Sequence, residues 1–162
     1  MKDVRFYDPR HGTFAGLSNL HPRPLTFEDV VYATPEHAYQ AAKARDPLVR
    51  DWLISAPTPE LVAAAGDALQ PSEITAGWED KHVALMERIV RAKFVEHPDL
   101  LALLLSTGDA KIVEWAPRDD AAARFWGEFE GQGLNMLGRL LMKLRDGHRV
   151  PRAPRGGRQP RL

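Results

Sequence analysis

Thr34-Pro35-Glu36-His37-Ala38-Tyr39-Gln40 opens the first long helix of the chain, and its residues set the reading of everything around it. Thr34 is a good N-cap, because its hydroxyl can accept a backbone N–H from the first turn. Pro35 suits the first helical position, where its missing N–H would have no partner. The helix is expected to run to about Arg45. A carboxylate, an imidazole, a phenol and an amide are packed into its first turns, which a helix meant only to fill a core would not carry. Thr58-Pro59-Glu60 repeats the same start but continues Leu61-Val62-Ala63-Ala64-Ala65, plain packing material. One start code thus opens two different faces: the first reads as a site, the second as scaffold.

Helical spacing sharpens the first reading. Tyr39 and Gln40 lie three and four residues after Glu36 and share its face. Lys43 lies seven on, on the same face but roughly 10 Å along the axis, and its long side chain leans back toward the N-terminus. A carboxylate, a hydroxyl, an amide and an ammonium would line one groove, which suits a polar, phosphate-bearing substrate. His37 points elsewhere on the helix. Taken singly, Glu36 at a helix start and Lys43 on a surface each have plain structural explanations.

Around this helix the pattern is α+β and helix-dominated, a single domain with a small antiparallel sheet and about six helices. Val4 to Tyr7 alternates as a short strand, and Leu25–Phe27 with Val30–Tyr32 reads as a hairpin about Glu28-Asp29. Pro47, Pro59 and Pro98 open further helices. Trp78 stands at the mouth of a long one with the stripe Val83, Met86, Ile89, Val90 and Phe94. Lys111 to Trp115 is an expected strand. Asp119 to Glu130 is polar and irregular, with three alanines able to form a helical turn. Leu134, Leu137, Leu140, Leu141 and Leu144 form the stripe of a final helix.

A chain of 162 residues, 44% hydrophobic and 27% charged, has the composition of an ordinary soluble domain. It has no cysteine, which excludes disulfides and thiolate metal sites. Its six histidines are scattered without paired spacing, so no metal site is expected. No secretory signal is visible, and the longest apolar run, Leu100 to Leu105, is too short for a membrane span. A cytoplasmic protein is expected, with no membrane partner; its oligomeric state is not legible. The net charge of zero hides a split: residues 147–162 carry five arginines and no acid, leaving −5 on residues 1–146. Residues 1–146 are read as the folded domain and 147–162 as a basic Pro/Arg/Gly-rich tail. Arg149, Arg152, Arg155, Arg158 and Arg161 recur every third residue, so a polyproline II tail would align them along one edge. A disordered, solubilising terminus is the expected reading, and a phosphate-tracking arm the sharper alternative.

Other residues could serve chemistry. Trp78, Phe125 and Trp126-Gly127 are core aromatics or flat walls for a base or sugar. Gly131-Gln132-Gly133-Leu134-Asn135 is a flexible entry to the last helix or a phosphate cradle, and it is not a dinucleotide fingerprint. Asp119 and Asp120 sit in a loop after a strand, where both catalytic groups and turn formers are found. No nucleophile elbow or phosphate-binding loop of the P-loop type appears.

Taken in order, these pieces resemble the NADAR family (YbiA-like proteins). The resemblance rests on Phe14…Leu17-Ser18-Asn19, Thr34 to Gln40 with Lys43, Trp78 with Met86, and Arg91-Ala92-Lys93-Phe94. It continues through Leu103 to Thr107, Ile112-Val113-Glu114, Phe125-Trp126-Gly127 and Gly133 to Met142 with Arg145, spanning residues 6–146. It implies a YbiA-like α+β fold and an N-glycosidase, a hydrolase acting on N-glycosyl bonds at a ribose. The implied substrates are phosphorylated ribosylamino-pyrimidines of riboflavin synthesis or ADP-ribose on guanine in nucleic acid, with no cofactor and no metal. The family's glutamate maps onto Glu36 and its tryptophan onto Trp78.

Three features depart from the family pattern, one being the glycine-rich stretch after Trp126-Gly127, reduced here to Glu128-Phe129-Glu130-Gly131. The family's aspartate falls at Ala123 here, so its role passes to Asp120, with Asp119 as substitute. A lysine often present one turn after the tryptophan is replaced by His82, beside Lys81. The expected site therefore comprises Glu36, Asp120, Asp119 and Lys43 as catalytic groups. Phe14, Ser18, Asn19, Tyr39, Trp78, Trp126, Gly127 and Asn135 are the expected substrate-binding groups. Glu36 would stabilise the developing ribosyl cation and orient water, an aspartate would assist the leaving nitrogen, and Trp78 would stack on the base. An imine formed by Lys43 is the alternative route, and a non-catalytic ADP-ribose- or NAD-binding module the alternative function.

Overall fold

The computed structural model describes residues 2–149. Of the expected tail, residues 147–149 are described, with Gly147 ending the last helix, whereas residues 150–162, with four of the five repeated arginines, lie outside the described residues. The chain runs β1 (Val4–Phe6), β2 (Leu25–Phe27), β3 (Val30–Tyr32), α1 (Pro35–Lys43), α2 (Pro47–Ile54) and α3 (Pro59–Asp67). It continues through α4 (Trp78–Glu96), α5 (Pro98–Ser106), β4 (Ile112–Glu114), α6 (Ala121–Trp126) and α7 (Met136–Gly147). The helix-dominated α+β architecture is as expected. The strands, however, form two separate ribbons. β2 and β3 pair antiparallel through a turn whose residues Glu28 and Asp29 both have positive φ, which matches the twist of a two-residue hairpin. β1 pairs parallel with β4, Phe6 opposite Glu114. That pairing joins the first strand to a segment that follows α5, far along the chain, and no local pattern announces it.

Side-chain caps explain most helix starts. Thr34, Asp46, Thr58 and Asp120 each accept a backbone N–H from the first turn of α1, α2, α3 and α6. Proline occupies the first turn of α1, α2, α3 and α5. His37 is buried and binds on both sides: Nε2–H donates to Ala56 O at 3.0 Å, and Nδ1 accepts from the Thr34 hydroxyl at 2.8 Å. It ties α1 to the α2–α3 connection.

The main core gathers Phe94, Ile89 and Met86 of α4, Leu104 of α5, and Leu137, Leu140, Leu141 and Leu144 of α7 around β1, β2 and β4. Leu134 does not belong to the α7 stripe. It precedes the helix and is exposed, because Asn135 at φ 49° turns the chain before the helix begins. Trp52 of α2 is likewise exposed. A smaller cluster of Ala44, Leu53 and Val62 fastens α2 and α3 beneath α1.

Candidate active site

α1, the N-terminal half of α4, the end of β4 and α6 enclose a cavity of roughly 580 Å³. Glu36, Tyr39, Gln40 and Lys43 all line it, the face that helical spacing defines. Trp78 and His82 from α4 and Phe125 and Trp126 from α6 line it as well. Tyr39 meets Trp78 with ring centroids 5.1 Å apart and Trp126 edge-on at 5.6 Å. His82 lies between Trp78 (5.8 Å) and Phe125 (5.2 Å), and its Nδ1 is 3.2 Å from the Tyr39 hydroxyl. Burial and the nearby charges of Glu36, Asp67 and Glu79 raise the Tyr39 phenol well above its ordinary range, so it remains a donor. The result is an aromatic cluster lining the same cavity as a carboxylate.

Glu36 is held in place by its own helix and its neighbours. Its backbone N–H donates to Asn19 O at 3.2 Å, and Gln40 Nε2 donates to its Oε1 at 2.8 Å. Burial is the main force on its carboxyl, lifting it from 4.5 to about 7; Asp67 adds to the rise, while the Gln40 hydrogen bond and Lys43 oppose it. α3 sets this geometry from behind. Gly66 abuts the Gln40 amide, and a Cβ there would overlap Oε1, so only glycine lets the helices approach so closely. Gln40 Oε1 is itself buried without a hydrogen-bond partner among the described residues.

The Ser18–Asn19 loop is propped from below. Lys93, fully buried in α4, donates from Nζ to Ser18 O at 2.8 Å. Burial, and secondarily Arg23, brings its ammonium down from 10.5 to about 7. Asn19 lines the cavity and its Nδ2 contacts Met86 Sδ at 3.1 Å.

The remaining expected site residues divide. Asp120 lines the cavity while its Oδ1 caps α6 through Ala123 N at 2.8 Å. Lys43 lines it with Nζ 3.7 Å from Asp67. Asp119 is absent from the lining: it is exposed and clasped by both Nε and Nη2 of Arg124, which holds its carboxylate below the ordinary range. Phe14, Ser18, Gly127 and Asn135 also stand outside the lining. Phe14 packs against the core, and the Ser18 hydroxyl accepts from Leu20 N. Asn135 bridges α7 to β4, donating to Ile112 O and accepting from Glu114 N. Gly127 lets the backbone of the α6 exit approach Glu114, where a Cβ would clash. These four shape the site without facing the hollow.

Sequence reasoning gave no role to Glu114. It ends β4, lines the cavity, and its carboxyl makes no hydrogen bond or ion pair among the described residues. Burial, then the charge of Glu36, raises it from 4.5 to about 7. The available signal was a carboxylate closing an otherwise apolar run, Ile112-Val113-Glu114-Trp115. Arg118 and Tyr7 complete the rim near it. Lys81, beside His82, instead donates to Ala76 O outside the cavity.

Two carboxyls and a cluster of aromatic rings lining one cavity, with amide and hydroxyl groups among them, are suited to a sugar carrying a flat heterocycle. The NADAR domain pattern matches residues 5–149. N-glycosidase YbiA of Escherichia coli (strain K12) is 35% identical over 145 residues, covering 88% of this chain and 86% of that protein. Riboflavin biosynthesis protein PYRR, chloroplastic, of Zea mays is 37% identical over 147 residues, covering 82% of this chain and 23% of that longer protein. The NMR structure of the E. coli protein YbiA superposes with a TM-score of 0.78 at 31% identity, covering 94% of each chain. No described helix is long and apolar enough to cross a membrane. Shared sequence over nearly the whole body, and a shared fold, make this chain a member of the NADAR domain family.

Proposed function

We propose that the cavity hydrolyses the N-glycosidic bond of a ribosyl substrate. The observation that carries this reading is that Glu36 and Trp78 line one hollow. N-riboside cleavage builds positive charge at the anomeric carbon, and a carboxylate beside it stabilises that charge and takes a proton from water. Glu36 fills this role. Trp78, with Phe125 and Trp126, supports the face of the base, and Asn19, Tyr39 and Gln40 offer polar groups to the sugar. Lys43 and Arg118 are the basic side chains lining the cavity, and a phosphate on the ribose would rest against one of them. Phosphorylated ribosylamino-pyrimidines and ADP-ribosylated guanine both fit this chemistry, and relatives named N-glycosidase and riboflavin biosynthesis protein support the class. The carboxylate route is preferred to an imine at Lys43, whose Nζ lies 3.7 Å from Asp67 Oδ1 and is drawn toward that carboxylate.

Incubation of the full chain with each candidate substrate, read by mass spectrometry, tests this. Released base and ribosyl phosphate or ADP-ribose are expected, and Glu36→Gln is expected to be slower by about 10² or more with its fold intact. Ligand retained without product would favour a binding module. Parental rates from Glu36→Gln would remove Glu36 from the chemistry.

A further inference from the structure

We propose that Glu114 is the acid that protonates the leaving nitrogen, acting across the cavity from Glu36. The assignment rests on the glycosidase reading above and adds a second reacting group to it.

The position of Glu114 is fixed by its backbone. β4 places it opposite Phe6, its N–H donates to Asn135 Oδ1 at 3.2 Å, and its carbonyl accepts from Glu128 N at 2.9 Å. Gly127 leaves no Cβ in the way of that approach. Three elements thus hold one residue whose carboxyl, in contrast, has no hydrogen bond or ion pair among the described residues. The carboxyl is half-buried on the cavity wall, where a structural carboxylate would ordinarily be given a donor or a cation. The neighbouring groups do not supply one. Glu36 and Lys43 of α1, Asp67 of α3, His82 of α4, Asp120 and Arg118 of the segment after β4, and Tyr7 after β1 share the cavity. Lys43 is with Asp67, and Tyr7 is itself driven up by burial and next by the Glu114 charge.

Two carboxyls in one desolvated hollow repel when both are ionised, so the pair retains a proton near neutral pH, and its titration belongs to the pair. The productive form has Glu36 ionised and Glu114 protonated. As the bond between the anomeric carbon and nitrogen breaks, its electron pair goes to nitrogen, which takes the Glu114 proton. Water oxygen bonds to the anomeric carbon and gives one proton to Glu36. Return of that proton to Glu114 closes the cycle. The aspartates expected in this role are less suited: Asp119 is held ionised by Arg124 outside the cavity, and the Asp120 oxygen caps a helix.

The test is the pH dependence of kcat/KM for the parent, Glu114→Gln and Glu114→Asp, with a phosphorylated ribosylamino-pyrimidine and with ADP-ribosylated guanine. The parent is expected to show a bell centred near neutrality. Glu114→Gln should lose about 10²-fold or more and its alkaline limb, because that limb reports loss of the donor proton. Glu114→Asp should keep the limb at a reduced rate. A Gln variant within threefold of the parent, or one retaining the alkaline limb, overturns the assignment while leaving the glycosidase reading standing. No turnover of either substrate by the parent sinks both.

Discussion

Two helices of this molecule begin with the same three residues and end in different chemistry. Thr34-Pro35-Glu36 and Thr58-Pro59-Glu60 form the same cap, with the threonine oxygen accepting the N–H three residues on. The two glutamates then part. Glu60 is exposed and paired with Arg10 at 2.7 Å, which holds its carboxyl below the ordinary range. Glu36 faces a cavity with only an amide for a donor, and burial raises it to about 7. The local code fixes where each helix begins; what packs over the first turn decides whether its carboxylate is a surface charge or a reactive group.

Replacing each glutamate by glutamine sharpens the contrast, because the stability effects should differ in sign. The folded chain keeps the Glu36 proton up to about pH 7, whereas the unfolded chain releases it in the ordinary carboxylate range. Stability attributable to this group is therefore present at acid pH and declines as pH rises from about 4.5 through 7. At pH 8 Glu36→Gln should stabilise the fold by about 1–3 kcal/mol, and at pH 4 by little. Glu60→Gln should instead destabilise by no more than about 1 kcal/mol at pH 8, since an exposed ion pair contributes little. Chemical denaturation of both variants at the two pH values measures this. Glu36→Gln losing stability at pH 8 would break the distinction.

A smaller effect compares the caps themselves. Thr58→Ala should cost about 1 kcal/mol. Thr34→Ala should cost more, about 2 kcal/mol, because Thr34 is buried and its hydroxyl also serves His37 Nδ1. Equal losses in thermal denaturation would show that burial adds nothing to the shared cap.

Much of this was legible in the chain. Cap and proline signals located α1, α2, α3 and α5, and helical period placed Tyr39, Gln40 and Lys43 with Glu36, because both are local properties of the backbone. The parallel β1–β4 pair was not legible: its partners are separated by most of the sequence, and three-residue strands carry little periodic signal. Glu114 went without a role for the same reason, since its relation to Glu36 exists only once that pair forms. Asn135 and Ser18 read as polar site residues, yet their atoms are taken up by neighbouring backbone. A polar residue in a loop looks the same whether it will hold a ligand or a strand. Aspartate carries the same ambiguity: Asp120 reaches the cavity and Asp119 is claimed by Arg124.

The most direct measurement is a carbon NMR titration of the glutamate side-chain carboxyls, with Glu36 and Glu60 assigned by their Gln variants. The Glu36 carboxyl should show its transition near pH 7, coupled to that of Glu114, and Glu60 should titrate below 4.5. Both residues titrating together in the ordinary carboxylate range would contradict the claim that the cavity, and not the helix start, sets the Glu36 carboxyl apart.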